Sequence, residues 1–346
     1  MTPPPELHPA QDARAWFTGR REVTLAAESK PHLLVLVDTE EEFDWNGGFD
    51  RSNTSVAAME HIGGFQGICD SFGIQPTYLV DYPVVSQEQG RRDLLAFFRS
   101  GRAQIGAHLH PWVSPPFEEE VTVHNSYPGN LERRLEFEKL KQLTEAIEQQ
   151  FGARPQVYKA GRYGFGPNTA EILSELSYTV DLSASPPRGF SDDGGPDYTH
   201  FSSRPYWFGK ELLGLPLTGA YVGFLKHGAA RSIYLKATHP SLSWARLPGV
   251  LSRLKAVDRL QLSPEGGYAL SDLKRLTQHL LRGGERVFSL ALHSTSMCPG
   301  HTPSVQTEQD LAAFLATLRG YFEYFLNAVG GVASTPLEVR RLLLGS

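Results

Sequence analysis

The stretch Leu33-Leu34-Val35-Leu36-Val37-Asp38-Thr39-Glu40-Glu41-Glu42 changes character in one step, from five aliphatic residues to a run holding four acids. Aliphatic residues without alternation read as a strand covered on both faces, the pattern of a buried parallel sheet. Carboxylates are not buried unpaired without a large cost. The acids are therefore a solvated loop and helix caps, or a working cluster at the carboxyl end of a strand, where α/β folds place their chemistry. This stretch alone leaves both readings open.

Working outward, strands and helices alternate. A helix is expected over 56–72 with Gly73 as its stop signal. Strands follow over 76–81, again ending in an acid, and over 103–106, with a helix over 90–100 between them. The amphipathic run 131–150 is a helix with a solvated charged face. Strands over 155–159 and 178–181 bracket a helix over 168–176. A sixth strand is expected over 212–218, then a helix over 270–282 and a strand over 287–292. A long helix over 307–327 and a short strand over 331–333 precede Thr335-Pro336-Leu337-Glu338, which resembles a capping box. Such alternation implies right-handed βα units and a parallel sheet. The expected fold class is α/β, a (β/α) barrel forming one domain over 31–346 behind a loose lead-in over 1–30. Loop insertions are expected near 112–130, 183–210 and 219–265. In the second of these, Tyr206-Trp207-Phe208 is read as packing the loop down.

Composition narrows the function. At 346 residues, 40% hydrophobic and 21% charged, the chain is an ordinary globular protein. A net charge of -5 without a basic run argues against a nucleic-acid partner. Cys69 and Cys298 are too few and too far apart for a disulfide framework. The first residues lack a basic segment followed by an apolar core, and no run of about 18 apolar residues exists. A cytoplasmic location is the expectation.

In Ile105-Gly106-Ala107-His108-Leu109-His110-Pro111-Trp112 two histidines stand one residue apart. On extended backbone they share a face, and two imidazoles at a strand end can reach one divalent cation. Asp38 and Glu40, His108 and His110, Asp181, and His293 all fall at strand ends, which converge on one face of a barrel. A carboxylate with two imidazoles and open positions is the pattern of a hydrolytic metal site. His124 and His301 lie in loops and are read as solvent-exposed.

These motifs, in order over about 31–335, resemble those of the NodB-homology polysaccharide deacetylases, carbohydrate esterase family four and its relatives, particularly the divergent WalW-like branch. The resemblance implies a deformed (β/α) barrel of seven or eight units. VLVDTEEEFDW resembles the first motif, which implies Asp38 as catalytic base and Glu40 as metal ligand, the reverse order also being open. IGAHLHPW resembles the second and implies His108 and His110 as metal ligands. Here the histidines are two apart, where the family usually spaces them four apart. YKAGRYG resembles the third, whose basic residue positions the base. It aligns with Lys159 or, after a one-residue shift, with Arg162, and Arg162 is the residue assigned. The same motif implies an oxyanion role for the backbone N–H near Tyr163, a contribution of roughly 3 kcal/mol. Trp112 is placed beside substrate. VDLSAS stands where an acidic fourth motif is expected, which gives Asp181 a catalytic-site role. SLALHSTSMCPGHTP resembles the fifth and implies His293 as catalytic acid.

The expected activity is removal of an acyl group, acetyl first, from an N-acylated sugar or glycan precursor, with a divalent metal, Zn2+ ahead of Co2+, Ni2+ or Mn2+. The rivals are another C–N hydrolase on the same barrel, acting on cyclic amides or ureides, and an inactive carbohydrate-binding member.

Overall fold

The computed structural model describes residues 11–44, 47–223, 227–237 and 256–345. Seven parallel strands form its centre: β1 (His32–Thr39), β2 (Thr77–Val80), β3 (Gln104–Leu109), β4 (Val157–Ala160), β5 (Val180–Asp181), β6 (Leu212–Gly214) and β7 (Val287–His293). They pair in the order β7-β1-β2-β3-β4-β5-β6. The aliphatic run of β1 is buried along its length, as a strand flanked on both sides and covered on both faces must be. Truncating Leu34 or Leu36 to alanine would cost about 2–5 kcal/mol.

The sheet curls but does not close by regular pairing. Residues 215–218 continue from β6, with Leu215 N donating to Asp181 O and Leu217 N to Ala184 O, both at 2.9 Å. They then reach β7, where Thr218 N donates to Ser289 O (3.2 Å) and Ser289 N to Thr218 Oγ1 (2.8 Å). This loop bridge deforms the barrel. It also explains why the sixth strand stops at Gly214 rather than at 218, because the chain leaves β5 for β7 at that point.

Helices α1 (Ile62–Ser71), α2 (Glu88–Arg99), α3 (Arg133–Phe151), α4 (Thr169–Glu175), α5 (Leu270–Arg282), α6 (Glu308–Glu323) and α7 (Pro336–Leu344) accompany the strands. Gly152, at φ 71°, ends α3 in the left-handed region. The capping box at α7 forms: Glu338 N donates to Thr335 Oγ1 at 3.3 Å, and Thr335 N to Glu338 Oε2 at 2.8 Å.

Three segments depart from expectation. Residues 11–30 are no loose lead-in. Arg21–Glu22 pairs antiparallel with Tyr206–Phe208, and buried Phe17 stacks on Phe165 (4.3 Å between centroids) beside Tyr206 and Phe208. One aromatic core thus fixes both the amino-terminal segment and the loop over 183–210; residues 1–10 lie outside the described residues. The 112–130 segment is pinned from beneath by Lys139 of α3, buried, which donates to the carbonyls of Pro111 (3.0 Å), Ser114 (2.6 Å) and Pro116 (2.7 Å). Within 219–265, Gly219–Val222 and Asp258–Gln261 form an antiparallel pair and His227–Ala237 a helix. Residues 224–226 and 238–255 of that expected insertion lie outside the described residues.

Candidate active site

Strand register brings the acids and histidines to one end of the sheet. His293 is the partner of Asp38 across β7 and β1, and His108 that of Lys159 across β3 and β4. β3 runs through Leu109, three residues beyond the expected end, so His108 is held in the ladder and His110 follows directly after it.

Glu40, His108 and His110 are buried and converge as expected. The Nε2 atoms of His108 and His110 lie 3.4 and 3.5 Å from Glu40 Oε2. Each Nδ1 is already committed, His108 to Lys159 O at 3.0 Å and His110 to Glu41 Oε2 at 2.8 Å. A carbonyl only accepts, so His108 carries its proton on Nδ1 and turns the Nε2 lone pair toward the Glu40 carboxylate. Glu40 Oε2 and the two Nε2 atoms face one another at a spacing that would admit a cation between them. The donor set, one carboxylate and two imidazoles with their other nitrogens anchored, therefore fits a divalent transition metal.

Behind His110 lies a second layer that the sequence reading did not assign. Glu41 accepts the Trp112 indole N–H at 2.8 Å, and its backbone N–H donates to Asp81 Oδ2 at 2.7 Å. Burial, the largest influence, raises Glu41 to about 8 and Asp81 well above its ordinary value, each also raised by a neighbouring carboxylate. Trp112, expected to face substrate, lines the cavity but turns its N–H to Glu41 and stacks on His110 at 4.3 Å between centroids. Its evident task is to hold the imidazole. Gly161 completes the seat: a Cβ there would collide with the His110 ring and the Leu109 carbonyl.

Asp38 stands beside this cluster, 4% exposed. Burial works to raise its carboxyl, but Lys159, His108 and His293 outweigh burial and hold it down at about 2. Lys159 Nζ donates to Asp38 Oδ2, while Oδ1 is buried with no hydrogen-bond partner among the described residues. Arg162, assigned by motif alignment, is not brought to Asp38. The chain passes through left-handed φ at Arg162 and Tyr163 (53° and 60°), and the Arg162 guanidinium goes to Asp193 and to Ser126 Oγ at 2.6 Å. Lys159 is the cation on Asp38. It does this with one ammonium rather than with a planar two-pronged clamp.

His293 Nε2 lies 3.8 Å from Asp38 Oδ2 and 3.9 Å from Glu40 Oε1. Its Nδ1 is 2.6 Å from Glu265 Oε2, and its backbone N–H donates to Glu265 Oε1 at 2.8 Å. Burial lowers the His293 pKa, but Glu265, Glu40 and Asp38 together raise it well above 6.5, so the ring is an imidazolium at neutral pH. Asp181, expected as the acid of this region, is not brought to the cavity. Its Oδ1 accepts from Ser183 N (3.2 Å) and Oγ (2.5 Å), Ser183 Oγ in turn accepts from Ala160 N (2.8 Å), and burial raises Asp181 to about 7. The acid that serves His293 is Glu265.

Asp38, Glu40, His108, His110, Lys159 and His293 open on a cavity of about 420 Å³, walled by Phe43, Phe49, Trp112, Tyr163 and Phe190. Among the described residues, no helix is long and apolar enough to cross a membrane.

No family model and no curated protein matches the chain. Solved structures do. A Mycobacterium smegmatis protein assigned as a polysaccharide deacetylase is similar over 98% of this chain and 96% of its own, at 15% identity and a TM-score of 0.55. The PuuE allantoinase is similar over 91% of this chain and 90% of its own, at 16% identity and a TM-score of 0.53. The chain therefore has the mixed α/β, curled-sheet fold of the NodB-type polysaccharide deacetylases.

Proposed function

We propose that the protein is a divalent-metal-dependent hydrolase that removes an N-acyl group, acetyl first, from an amino sugar or glycan precursor. The observation that carries this reading is the meeting, in one cavity, of the Glu40, His108 and His110 seat, the Asp38 carboxylate bound by Lys159, and the His293 ring bound by Glu265.

A divalent cation held by Glu40, His108 and His110 supplies Lewis acidity to the acyl carbonyl and lowers the pKa of water; ligand type favours zinc and admits cobalt, nickel or manganese. Asp38 is the proton acceptor for the attacking water, ionised at any ordinary pH, with Oδ1 available and Oδ2 fixed by Lys159. His293 donates a proton to the departing nitrogen, its ring oriented by Glu265. To the backbone N–H near Tyr163, a residue of the cavity wall, this reading assigns donation to a developing oxyanion, a contribution of about 2.7–4 kcal/mol in comparable sites. Together these moves add water across the amide bond, leaving a carboxylic acid and an amine.

The test is acetate release from N-acetylated sugars by the metal-loaded protein. Asp38→Asn should lower kcat by about 10²–10⁴-fold while leaving the Glu40, His108 and His110 seat intact. Turnover by wild type that persists in Asp38→Asn would refute the assignment. A second reading, ring opening of a compact cyclic amide, is favoured by the aromatic walls of the cavity, and parallel assays on acetylated sugars and cyclic ureides separate the two.

A further inference from the structure

We infer that the substrate carries an acidic group, a carboxylate or a phosphate, which binds Arg188; the inference rests on the N-deacylase reading of this cavity. Three cationic side chains other than histidine line it: Lys159, Arg162 and Arg188. Lys159 is bound to Asp38, and Arg162 to Asp193. Arg188 forms no ion pair among the described residues, and its one side-chain hydrogen bond there is to a neutral amide, Gln261 Oε1, at 3.4 Å.

Arg188 is held in place as a binding residue would be. Its N–H donates to Ser185 O (3.0 Å), and its carbonyl accepts from Tyr198 N (2.8 Å). Gln261, which touches the guanidinium, is itself fixed by donating to Ser185 Oγ (2.9 Å) and Pro186 O (3.2 Å). The guanidinium lies 5.0 Å from the centroid of Phe190, a ring stacked on Tyr163 at 5.2 Å. The Gln261 and Phe190 contacts lower the ordering cost of the side chain before a ligand arrives.

Its position matters as much as its freedom. A second cavity of about 200 Å³ adjoins the first, and the two share Asp38, Tyr163, Arg188 and His293. The guanidinium therefore borders the same space as the proposed base and acid. Lys159 is paired with Asp38, Arg162 with Asp193 and His293 with Glu265, which leaves Arg188 as the cation at the junction of the two cavities with no acid against it among the described residues. An anion on the substrate would meet that charge, and a guanidinium grips a carboxylate or phosphate through paired N–H donors.

The experiment measures binding calorimetrically and deacetylation kinetically for N-acetylglucosamine, N-acetylglucosamine 6-phosphate and N-acetylmuramic acid, with wild type, Arg188→Gln and Arg188→Lys. Wild type should bind at least one anionic compound roughly 10- to 100-fold more tightly than the neutral sugar. Arg188→Gln should erase that preference by raising KM with kcat retained, and Arg188→Lys should restore part of it. Whichever anion is preferred identifies the acidic group. Equal affinity of wild type for all three, undetectable affinity included, overturns the inference, as does a preference that survives in Arg188→Gln. Arg188-dependent anion binding without acetate release would leave the inference standing and refute the deacylase reading instead.

Discussion

Lys159→Met is the substitution that most sharply separates the structural account of the base from the motif alignment. Lys159 is 1% exposed and Asp38 4% exposed, so the pair is buried and its two charges depend on each other. Methionine keeps an unbranched stem of similar reach and removes the ammonium. Breaking a buried pair from one side costs about 3–5 kcal/mol, which should appear as a lower Tm at neutral pH. The same loss acts on the carboxyl. Burial is the largest influence on Asp38 and pushes it upward; Lys159 is the first of the groups that hold it at about 2. With one pH unit equal to about 1.4 kcal/mol, losing that support moves the carboxyl from about 2 into a range of roughly pH 4–6.

The sign follows from linkage. A carboxyl depressed in the folded state contributes stability above its unfolded value of 3.8, and that stability is lost as pH falls through about 2. In the variant the contribution vanishes. Wild type should therefore show no acid limb from Asp38 above about pH 4 in kcat/KM, whereas Lys159→Met should gain one and lose activity throughout. Acetate release from pH 4 to 9, with thermal unfolding alongside, reads both effects. The reasoning fails if Lys159→Met keeps the wild-type profile, or if Arg162→Gln, whose guanidinium serves Asp193, reproduces the new limb.

Two further substitutions probe the groups around the histidines. Glu265→Gln removes the leading influence that raises His293, so the alkaline limb of kcat/KM should move to lower pH, and the stability that a raised histidine adds below its unfolded pKa of 6.5 should shrink; an unmoved limb would mean that Glu265 does not tune the acid. Gly161→Ala forces a Cβ onto the His110 ring, so metal content should fall together with Tm, and a variant with wild-type metal content would contradict the close approach of β4 to His110.

Much of this was legible because strand ends are local features. The switch from LLVLV to DTEEE marks a buried strand and the loop that follows it, and two histidines at i and i+2 share a face whatever lies around them. What resisted reading depends on contacts distant in sequence or on backbone conformation. Lys159 and Arg162 flank the same turn, and the alignment, open to either, settles on Arg162. The choice is made by the register that sets Lys159 opposite His108 and by the left-handed residues at the turn, after which the Arg162 guanidinium pairs with Asp193. Glu265 lies in the segment least readable from sequence, 28 residues from His293, yet Ser263-Pro264-Glu265-Gly266-Gly267 is again a turn with an acid just after a strand. Asp181 shared that signal, and its strand end points to Ser183 instead of the cavity. Glu41 and Asp81 were visible as acids, but only packing shows that they back His110 and are not solvated.

The central claim is the metal seat, and elemental analysis of the purified, untagged protein beside His108→Ala and His110→Ala tests it most directly. The account predicts a single transition-metal ion per wild-type chain and its loss from both variants, with circular dichroism showing that both remain folded. A wild-type protein that takes up no transition metal when supplied with zinc, or folded variants that keep the ion, would contradict it.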